Sequence, residues 1–409
     1  MGDALIITVM ASVQPKPEYP GKLLQATAIA KPFQEEIQTV VNQRKEKGLR
    51  VPKLVGILSK PSPPSIAYAE WTAKACEAVG INFEIWKTWD DSVEVTEDNK
   101  GGSDSLNNMG LEADVEDLIL AANRDKSIDG IMVYYPIFGG RQDTYLQQIV
   151  DPRKDVEGLN FFYCWNMYHN VRWIKPEQVG SAPGTTNESE LLDLDSNVLD
   201  ENNIPNGYCK SILPCTPLAV VKALEAVGVY DPKLPYGDRL KGKTITVVNR
   251  SEVVGRPLAA LLANDGARVL SVDIDSIVEF AKRYDDNDDT DASLSPYKKS
   301  SQVVQAHKQN SSARLRSSHT VRPSPFHDSE SCIRASDVVI GGVPSPQFKI
   351  PTEWIKQDAI CINFSSEKNF QSDVRSRASA YLPIVGKITV SMLQRNLLRL
   401  VEYQEMVHK

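Results

Sequence analysis

The sequence predicts an α/β fold in two domains, and three features carry that expectation. Apolar strand-like runs alternate with helix-like runs, the pattern of a mostly parallel sheet covered by helices. The alternation occurs in two sets separated by a polar, turn-rich stretch. The chain of 409 residues is long enough for two domains, each with a core of its own.

In the first set, "KLVGILS" from Lys53 reads as a strand and "SIAYAEWTAKACEAVG" as a helix stopped by Gly80. "INFEIW" is the next strand, "EADVEDLILAANRD" a helix and "GIMVYYP" a third strand. The second set opens with a helix at "TPLAVVKALEAVGV". A strand, turn, helix and strand follow in "VVNRSEVVGRPLAALLANDGARVLSVDID" (Val247 to Asp275). "ASDVVIGGV" and "DAICINFS" are later strands with a helix at "PTEWIKQ" between them, and "VSMLQRNLLRLVEYQEM" is a last helix expected to pack back on the first domain.

Residues 180–206 are polar and turn-rich, and residues 283–331 begin acidic and become Ser-rich and basic. Both read as surface insertions. The expected division is a tail at 1–20, a first domain at 21–209 completed by the C-terminal helix 389–409, and a nucleotide-binding domain at 210–388.

A formal charge of −7 argues against a nucleic-acid partner held by a basic surface. No apolar run approaches the roughly 20 residues of a membrane span. "MGDALIITVMASV" has no Lys or Arg before Lys16, and Ile6 stands where a myristoylation motif needs Ser or Thr. The six cysteines are scattered without a C-x-x-C pair, which fits reduced thiols in a cytosolic protein. The five histidines form no metal-binding set, so no metal is expected.

The outline from Val247 to Asp275 is that of a dinucleotide-binding unit, although G-x-G-x-x-G is absent. Such a turn aims backbone N–H groups at phosphate from a helix N-terminus. Gly255 would give close backbone approach, Pro257 can open the helix, and Arg250 and Ser251 would add donors for phosphate or ribose. By itself the turn also fits a structural strand-to-helix connection. Asp273 near the end of the next strand sharpens the reading, because a carboxylate there accepts from both ribose hydroxyls and repels a 2′-phosphate. NAD is therefore expected over NADP, with Asp275 the neighbouring candidate and Ile274 between them in the expected cofactor set.

"YYPIFGG…DPRKDVEGLN", "ILPCTPLAVVKALE", "VVNRSEVVGRPLAALL" and "GGVPSP", in this order, resemble the methylenetetrahydrofolate dehydrogenase/cyclohydrolase family, and within it the fungal NAD-dependent monofunctional members. The resemblance runs from about Gly21 to Val401 outside the two insertions. It implies a folate-binding domain and a Rossmann-like NAD domain facing a cleft, a tetrahydrofolate substrate, a homodimer and a place in cytoplasmic one-carbon metabolism. It also implies a folate-contacting role for Tyr68, a pterin-anchoring role for Glu157, and a loop at Gly342, Val343 and Pro344 over the nicotinamide ribose. Cys215, Tyr68 and Thr72 make up the expected catalytic set and Tyr68, Tyr134 and Glu157 the expected substrate-binding set; for Cys215, lining the cleft is the stronger reading and participation in chemistry the weaker.

Three positions depart from the bifunctional pattern. Thr72 stands where the family lysine follows Tyr68 by one helical turn, and Lys74 is rotated roughly 200° away from that face. Tyr134 replaces a glutamine, and Glu157 replaces an aspartate. Losing the lysine and the glutamine together implies loss of hydrolysis, whereas hydride transfer chiefly needs two flat ligands held face to face. The expected activity is NAD-dependent oxidation of 5,10-methylenetetrahydrofolate without cyclohydrolase activity. The rival readings are a bifunctional NADP enzyme and a non-catalytic folate- or nucleotide-binding regulator.

Overall fold

A computed structural model describes residues 19–59, 63–89, 105–181, 204–283 and 317–407. The first domain holds α1 (Ala26–Glu46), β2 (Lys53–Leu58), α2 (Pro63–Ala78), β3 (Asn82–Lys87), α3 (Ser105–Arg124), β4 (Gly130–Val133), α4 (Gly140–Ile149) and α5 (Phe161–Tyr168). Its three strands run parallel in the order β3-β2-β4. Buried on both faces, β2 and β4 read as continuous apolar runs. The expected strand and helix alternation is present, and α1 adds to it. Ala26, Ala30, Ile37 and Val41 of α1 are buried at helical spacing, but Pro32 in the interior of the helix masks the pattern in the sequence.

A short ribbon of β5 (Trp173–Ile174) and β6 (Cys209–Lys210) leads to the second domain. There α6 (Cys215–Ala226) precedes β7 (Thr244–Val248), α7 (Gly255–Asn264), β8 (Arg268–Val272), β9 (Ile277–Lys282), β10 (His319–Pro323), α8 (Ser329–Arg334), β11 (Val338–Gly341), β12 (Ile360–Asn363) and β13 (Ala380–Leu382). The eight-stranded sheet includes β1 (Lys22–Leu23) and has the order β1-β13-β12-β11-β7-β8-β9-β10. Six strands are parallel; β9 and β10 run antiparallel at one edge.

Four expectations change. Lys22 pairs with Ala380, so the first residues of the expected folate domain lie in the nucleotide-domain sheet. "PTEWIKQ" forms only a single 3-10 turn at Thr352–Trp354. The second insertion is shorter than 283–331: His319–Pro323 completes a hairpin with β9, and Asp328 caps α8 by accepting from Ser331 N at 2.7 Å. β10 lacks an apolar run because it is the edge strand: Val321, Arg322 and Pro323 are exposed, while His319 is buried. Finally, the last helix, α9 (Gly386–Val407), begins three residues early and packs on both α1 and α6, bridging the domains. Most of insertion 180–206, the residues 284–316 and most of the tail 1–20 lie outside the described residues.

Candidate functional site

The first wall of the cleft is aromatic. The Tyr68 ring on α2 stands edge-on to Tyr134, with centroids 5.8 Å apart, and is stacked with Trp71 at 6.0 Å. Tyr134 follows β4, and its ring lies over Gly56, where a Cβ would meet it at 3.1 Å. Thr72 is fully buried one turn beyond Tyr68 and donates its hydroxyl to the Tyr68 carbonyl at 2.9 Å. The Tyr134 hydroxyl is buried beside Thr72 without a well-formed hydrogen bond. Lys74 is exposed, off the face that carries Tyr68. Tyr68 is 39% exposed, yet its hydroxyl lies deep enough for desolvation to hold the phenol above its ordinary range, with Cys215 and Glu157 adding to the effect.

Glu157 sits behind this wall. Its Oε2 accepts from Val133 N at 2.9 Å. Burial pushes its carboxyl up to about 8, and neighbouring Asp155 adds to the rise against the pull of the Val133 bond. Asp155 folds the loop by accepting from the backbone N–H groups of Glu157, Gly158 and Asn160 at 2.8–3.0 Å. Gly158 is required here: its φ is +71°, and a Cβ would lie 2.8 Å from the Leu213 carbonyl carbon. That contact seats the loop on the start of the second domain, where Cys215 N donates to the Glu157 carbonyl at 3.2 Å.

Cys215 opens α6 and is buried. Desolvation first, then the nearby Glu157 carboxyl, push its thiol up to about 12. A thiol held protonated at neutral pH is a contact surface, not a nucleophile. Burial thus speaks against a nucleophilic part for Cys215, and the Thr72 hydroxyl proton is committed to the Tyr68 carbonyl.

Asn396 lies outside the motifs that single out the other site residues. Fully buried on α9, it donates to the Val156 carbonyl at 2.9 Å and to the Leu213 carbonyl at 3.0 Å. One amide thus holds the Glu157 loop against the segment leading to Cys215. A polar residue amid an apolar helix stripe is the signal that marks it.

Across the cleft, β7 lies between β8 and β11, so the C-terminal ends of these parallel strands flank a topological switch point. The turn after β7 is closed by its own backbone. Asn249 has φ +104°, and its Oδ1 accepts from Ser251 N at 2.8 Å. Gly255 is needed because a Cβ would fall 1.9 Å from the Asn249 carbonyl oxygen. This corrects the expected reason for Gly255: the close approach is within the turn. Ser251 Oγ accepts from Gly255 N at 3.3 Å and from Val254 N at 3.4 Å, capping α7.

Arg250 is also placed differently from expectation. Its guanidinium turns back to the β8–β9 connection and donates to Ser276 O at 2.6 Å, Ser276 Oγ at 3.1 Å and Ser271 Oγ at 3.1 Å. It therefore braces the turn that carries Asp273 instead of extending toward phosphate. Asp273 is exposed immediately beyond β8; its N–H donates to the Ser276 carbonyl at 3.0 Å and its Oδ1 accepts from Ile274 N at 2.9 Å. Ile274 is 95% exposed. Asp275 is exposed on the same turn. Arg256 pairs with Glu252 at 3.0 Å and lies over the Tyr168 ring.

The third piece is the segment after β11. Gly342 N donates to the Val248 carbonyl at 3.0 Å, and a Cβ at Gly342 would enter the Phe364 ring. Val343 is held at both backbone groups by buried Asn369: its N–H donates to Oδ1 at 2.7 Å and its carbonyl accepts from Nδ2 at 2.8 Å. Pro344 follows, exposed. Gly342, Val343 and Pro344 thus emerge beside the end of β7, next to the Asn249–Gly255 turn. Asn369 is a second positioning residue that the sequence alone did not disclose.

Two family profiles match the chain: "Tetrahydrofolate dehydrogenase/cyclohydrolase, catalytic domain" over residues 24–157 and "Tetrahydrofolate dehydrogenase/cyclohydrolase, NAD(P)-binding domain" over residues 214–287. A protein of Schizosaccharomyces pombe named methylenetetrahydrofolate dehydrogenase [NAD(+)] is 40% identical over 95% of this chain and 96% of its own length. The Saccharomyces cerevisiae protein of the same name is also 40% identical, over 95% and 98%. The solved structure of the NAD-dependent 5,10-methylenetetrahydrofolate dehydrogenase from S. cerevisiae superposes with a TM-score of 0.72 at 39% identity, covering 95% of this chain and all of that one.

Proposed function

The chain belongs to the tetrahydrofolate dehydrogenase/cyclohydrolase family, and from that premise we propose that it oxidises 5,10-methylenetetrahydrofolate to 5,10-methenyltetrahydrofolate with NAD and does not hydrolyse the product. The observation that carries the reading is the pairing of Thr72 with Tyr134 on the folate wall, opposite a nucleotide crevice that ends in exposed Asp273.

The residues fit NAD. Asp273 offers a carboxylate to ribose hydroxyls, exposed Ile274 offers an apolar surface to a flat base, and the Gly342–Pro344 segment borders the crevice. A 2′-phosphate beside Asp273 would meet like charge. When bound, NAD supplies the hydride acceptor.

The chain's own work is positioning. The Tyr68 ring offers a flat surface for the folate, and the Glu157 carboxylate can accept from the pterin's amide and amino hydrogens. Asn396 and the Glu157–Cys215 backbone bond fix that anchor relative to the second domain. Hydride transfer needs no strong base, and the wall provides none: Thr72 is committed to the helix and the Tyr68 and Tyr134 phenols are held protonated by burial.

Titrations with 5,10-methylenetetrahydrofolate, NAD and NADP, followed by NADH absorbance and by methenyl absorbance, test the proposal. NADH formation with persistent methenyl product is expected. NADP preference, or methenyl decay above the buffer rate, would favour the bifunctional reading; binding without turnover would favour the regulator. Homodimer formation and a cytoplasmic location, implied by the resemblance, belong to the same proposal and are tested by sedimentation and by microscopy of a tagged chain.

A further inference from the structure

A second cavity opens at the far ends of the two helices that border the cleft. The N-terminus of α7 lies at the Asn249–Gly255 turn, and its ten residues carry the chain about 15 Å to Asp265, which lines this cavity. Helix α6 likewise begins at Cys215 in the cleft, and Leu218, Val221, Lys222 and Glu225, spaced by three and four residues, present one face to the cavity. The walls come from α5, the β5–β6 ribbon, α6, α7 and α9, so the cavity lies between elements of both domains. None of the residues assigned above to folate or NAD lines it.

Its chemistry is unlike that of the chain as a whole. The lining contains Arg172, Lys210, Lys222, Arg239, Arg395 and Arg399 against only two carboxylates, Glu225 and Asp265. Lining cations outnumber lining carboxylates in a protein of net charge −7, with Glu36 and Glu402 standing just outside the lining. Some are paired: Arg172 with Asp265 at 2.6 Å, Lys222 with Glu225 at 2.7 Å, and Arg395 with Glu36 at 3.2 Å. Arg399 has no hydrogen bond or close ion pair among the described residues; its side chain is half-buried, and burial holds its pKa down against the pull of Tyr403, Glu36 and Glu402 nearby. A desolvated cation without an acceptor is costly, and an anionic ligand is the partner that relieves it.

The walls also specify shape. Tyr236 carries Arg172 over its ring at 4.6 Å and Arg239 at 5.6 Å; Lys210 lies 5.9 Å from the centre of the Trp173 ring. Leu218, Val221 and Leu261 supply apolar surface between them. The enclosed part of the cavity is small, about 120 Å³, below the roughly 300–1,000 Å³ of drug-sized sites, so it suits a ligand of a single ring with its charged group. Guanidinium groups and aromatic faces together suit a flat ring bearing a carboxylate, sulfonate or phosphate.

We propose that this cavity is a second ligand site, separate from the folate and nucleotide cleft, that takes a small planar organic anion with its charged group at Arg399. The proposal stands on the cavity's own residues and does not depend on which reaction the cleft performs.

The test is calorimetric titration of the full chain with benzenesulfonate, and with benzenesulfonamide as its neutral isostere. The sulfonate should bind at one site, and saturating NAD should leave its affinity unchanged. Loss of one charge-assisted contact, in the sulfonamide or in Arg399→Gln, should weaken binding roughly ten- to a hundredfold. Val221→Phe should weaken both ligands by filling the cavity. Unfolding midpoints of the ligand-free variants establish that they are folded; if either is not, the sulfonate–sulfonamide comparison on the unaltered protein decides. Absence of sulfonate binding, displacement by NAD, equal affinity of the two isosteres, or indifference to both variants would overturn the proposal.

Discussion

The Arg250 guanidinium grips Ser276, donating to its carbonyl at 2.6 Å and to its hydroxyl at 3.1 Å. The two residues sit on different connections of the same crevice, and their bond fixes the turn between β8 and β9 that presents Asp273. Arg250→Met removes that brace while leaving the Asp273 carboxylate. The expected result is a KM for NAD raised on the order of tenfold, as for loss of a charged hydrogen bond, with kcat little changed. A kcat loss as large as the KM effect would mean that Arg250 touches the reacting cofactor.

Asp273→Ser tests the selectivity directly. The substitution removes a charged acceptor for the ribose hydroxyls and the repulsion of a 2′-phosphate. The ratio of kcat/KM for NAD over NADP should fall roughly ten- to a hundredfold. If the ratio stays unchanged, discrimination belongs to Asp275 or another group.

Glu157 makes stability and binding depend on pH in opposite directions. Its folded-state pKa, raised mainly by burial to about 8, lies above the ordinary carboxylate value of 4.5. The protonated form therefore contributes stability that is fully present below about 4.5 and is lost as pH rises through about 8. In urea denaturation, Glu157→Gln should gain on the unaltered protein across that interval. Tetrahydrofolate affinity should change the other way, strengthening as pH rises toward 8, because pterin donors need the ionised acceptor; Glu157→Gln should abolish this rise. A flat binding profile for the unaltered protein would remove Glu157 from the folate site.

The hairpin of β9 and β10 predicts where the second insertion can be cut. His319 pairs with Lys282, and Arg283 N donates to the Ser318 carbonyl at 2.9 Å, so the two ends of the segment are adjacent. Replacing residues 285–316 with a short Gly-Ser turn should leave the unfolding midpoint and turnover nearly unchanged, since loop closure depends weakly on length. Extending the deletion to 329 removes β10 and the cover of β9, and should lower the midpoint measurably. Turnover lost with the shorter deletion in a folded protein would place that segment at the cleft. The same hairpin shows what the sequence conceals. Buried parallel strands such as β2 and β7 announce themselves as apolar runs, as does the exposed acid at the end of β8. An edge strand with outward polar residues looks like a loop, and α1 is hidden by Pro32. Gly255 and Arg250 were legible as members of the nucleotide turn, but their tasks depend on which carbonyl comes close in space. Asn396 and Asn369 act across long sequence separations, so no local pattern reveals their partners.

The last prediction concerns the meeting of Thr72 and Tyr134. The unaltered protein should release methenyl-tetrahydrofolate without hastening its hydrolysis. Thr72 is fully buried and tied to the Tyr68 carbonyl, while the Tyr134 ring occupies the space over Gly56 and leaves its hydroxyl beside Thr72. Thr72→Lys by itself would press a long ammonium against that ring and leave it without a suitable hydrogen-bond partner, which costs stability and disfavours the charged form. Tyr134→Gln by itself opens space and supplies an amide, but no group to assist proton transfer. Together, the smaller glutamine makes room and the two side chains can hold one water between them. General acid–base assistance is worth about 10²–10⁴-fold, so the double variant should accelerate methenyl decay by more than the two single variants combined. The measurement is loss of methenyl absorbance against buffer with NAD absent, with the unfolding midpoint of each variant recorded. Rapid decay with the unaltered protein would overturn the monofunctional reading, and a folded double variant no faster than the singles would show that hydrolysis depends on more than this pair.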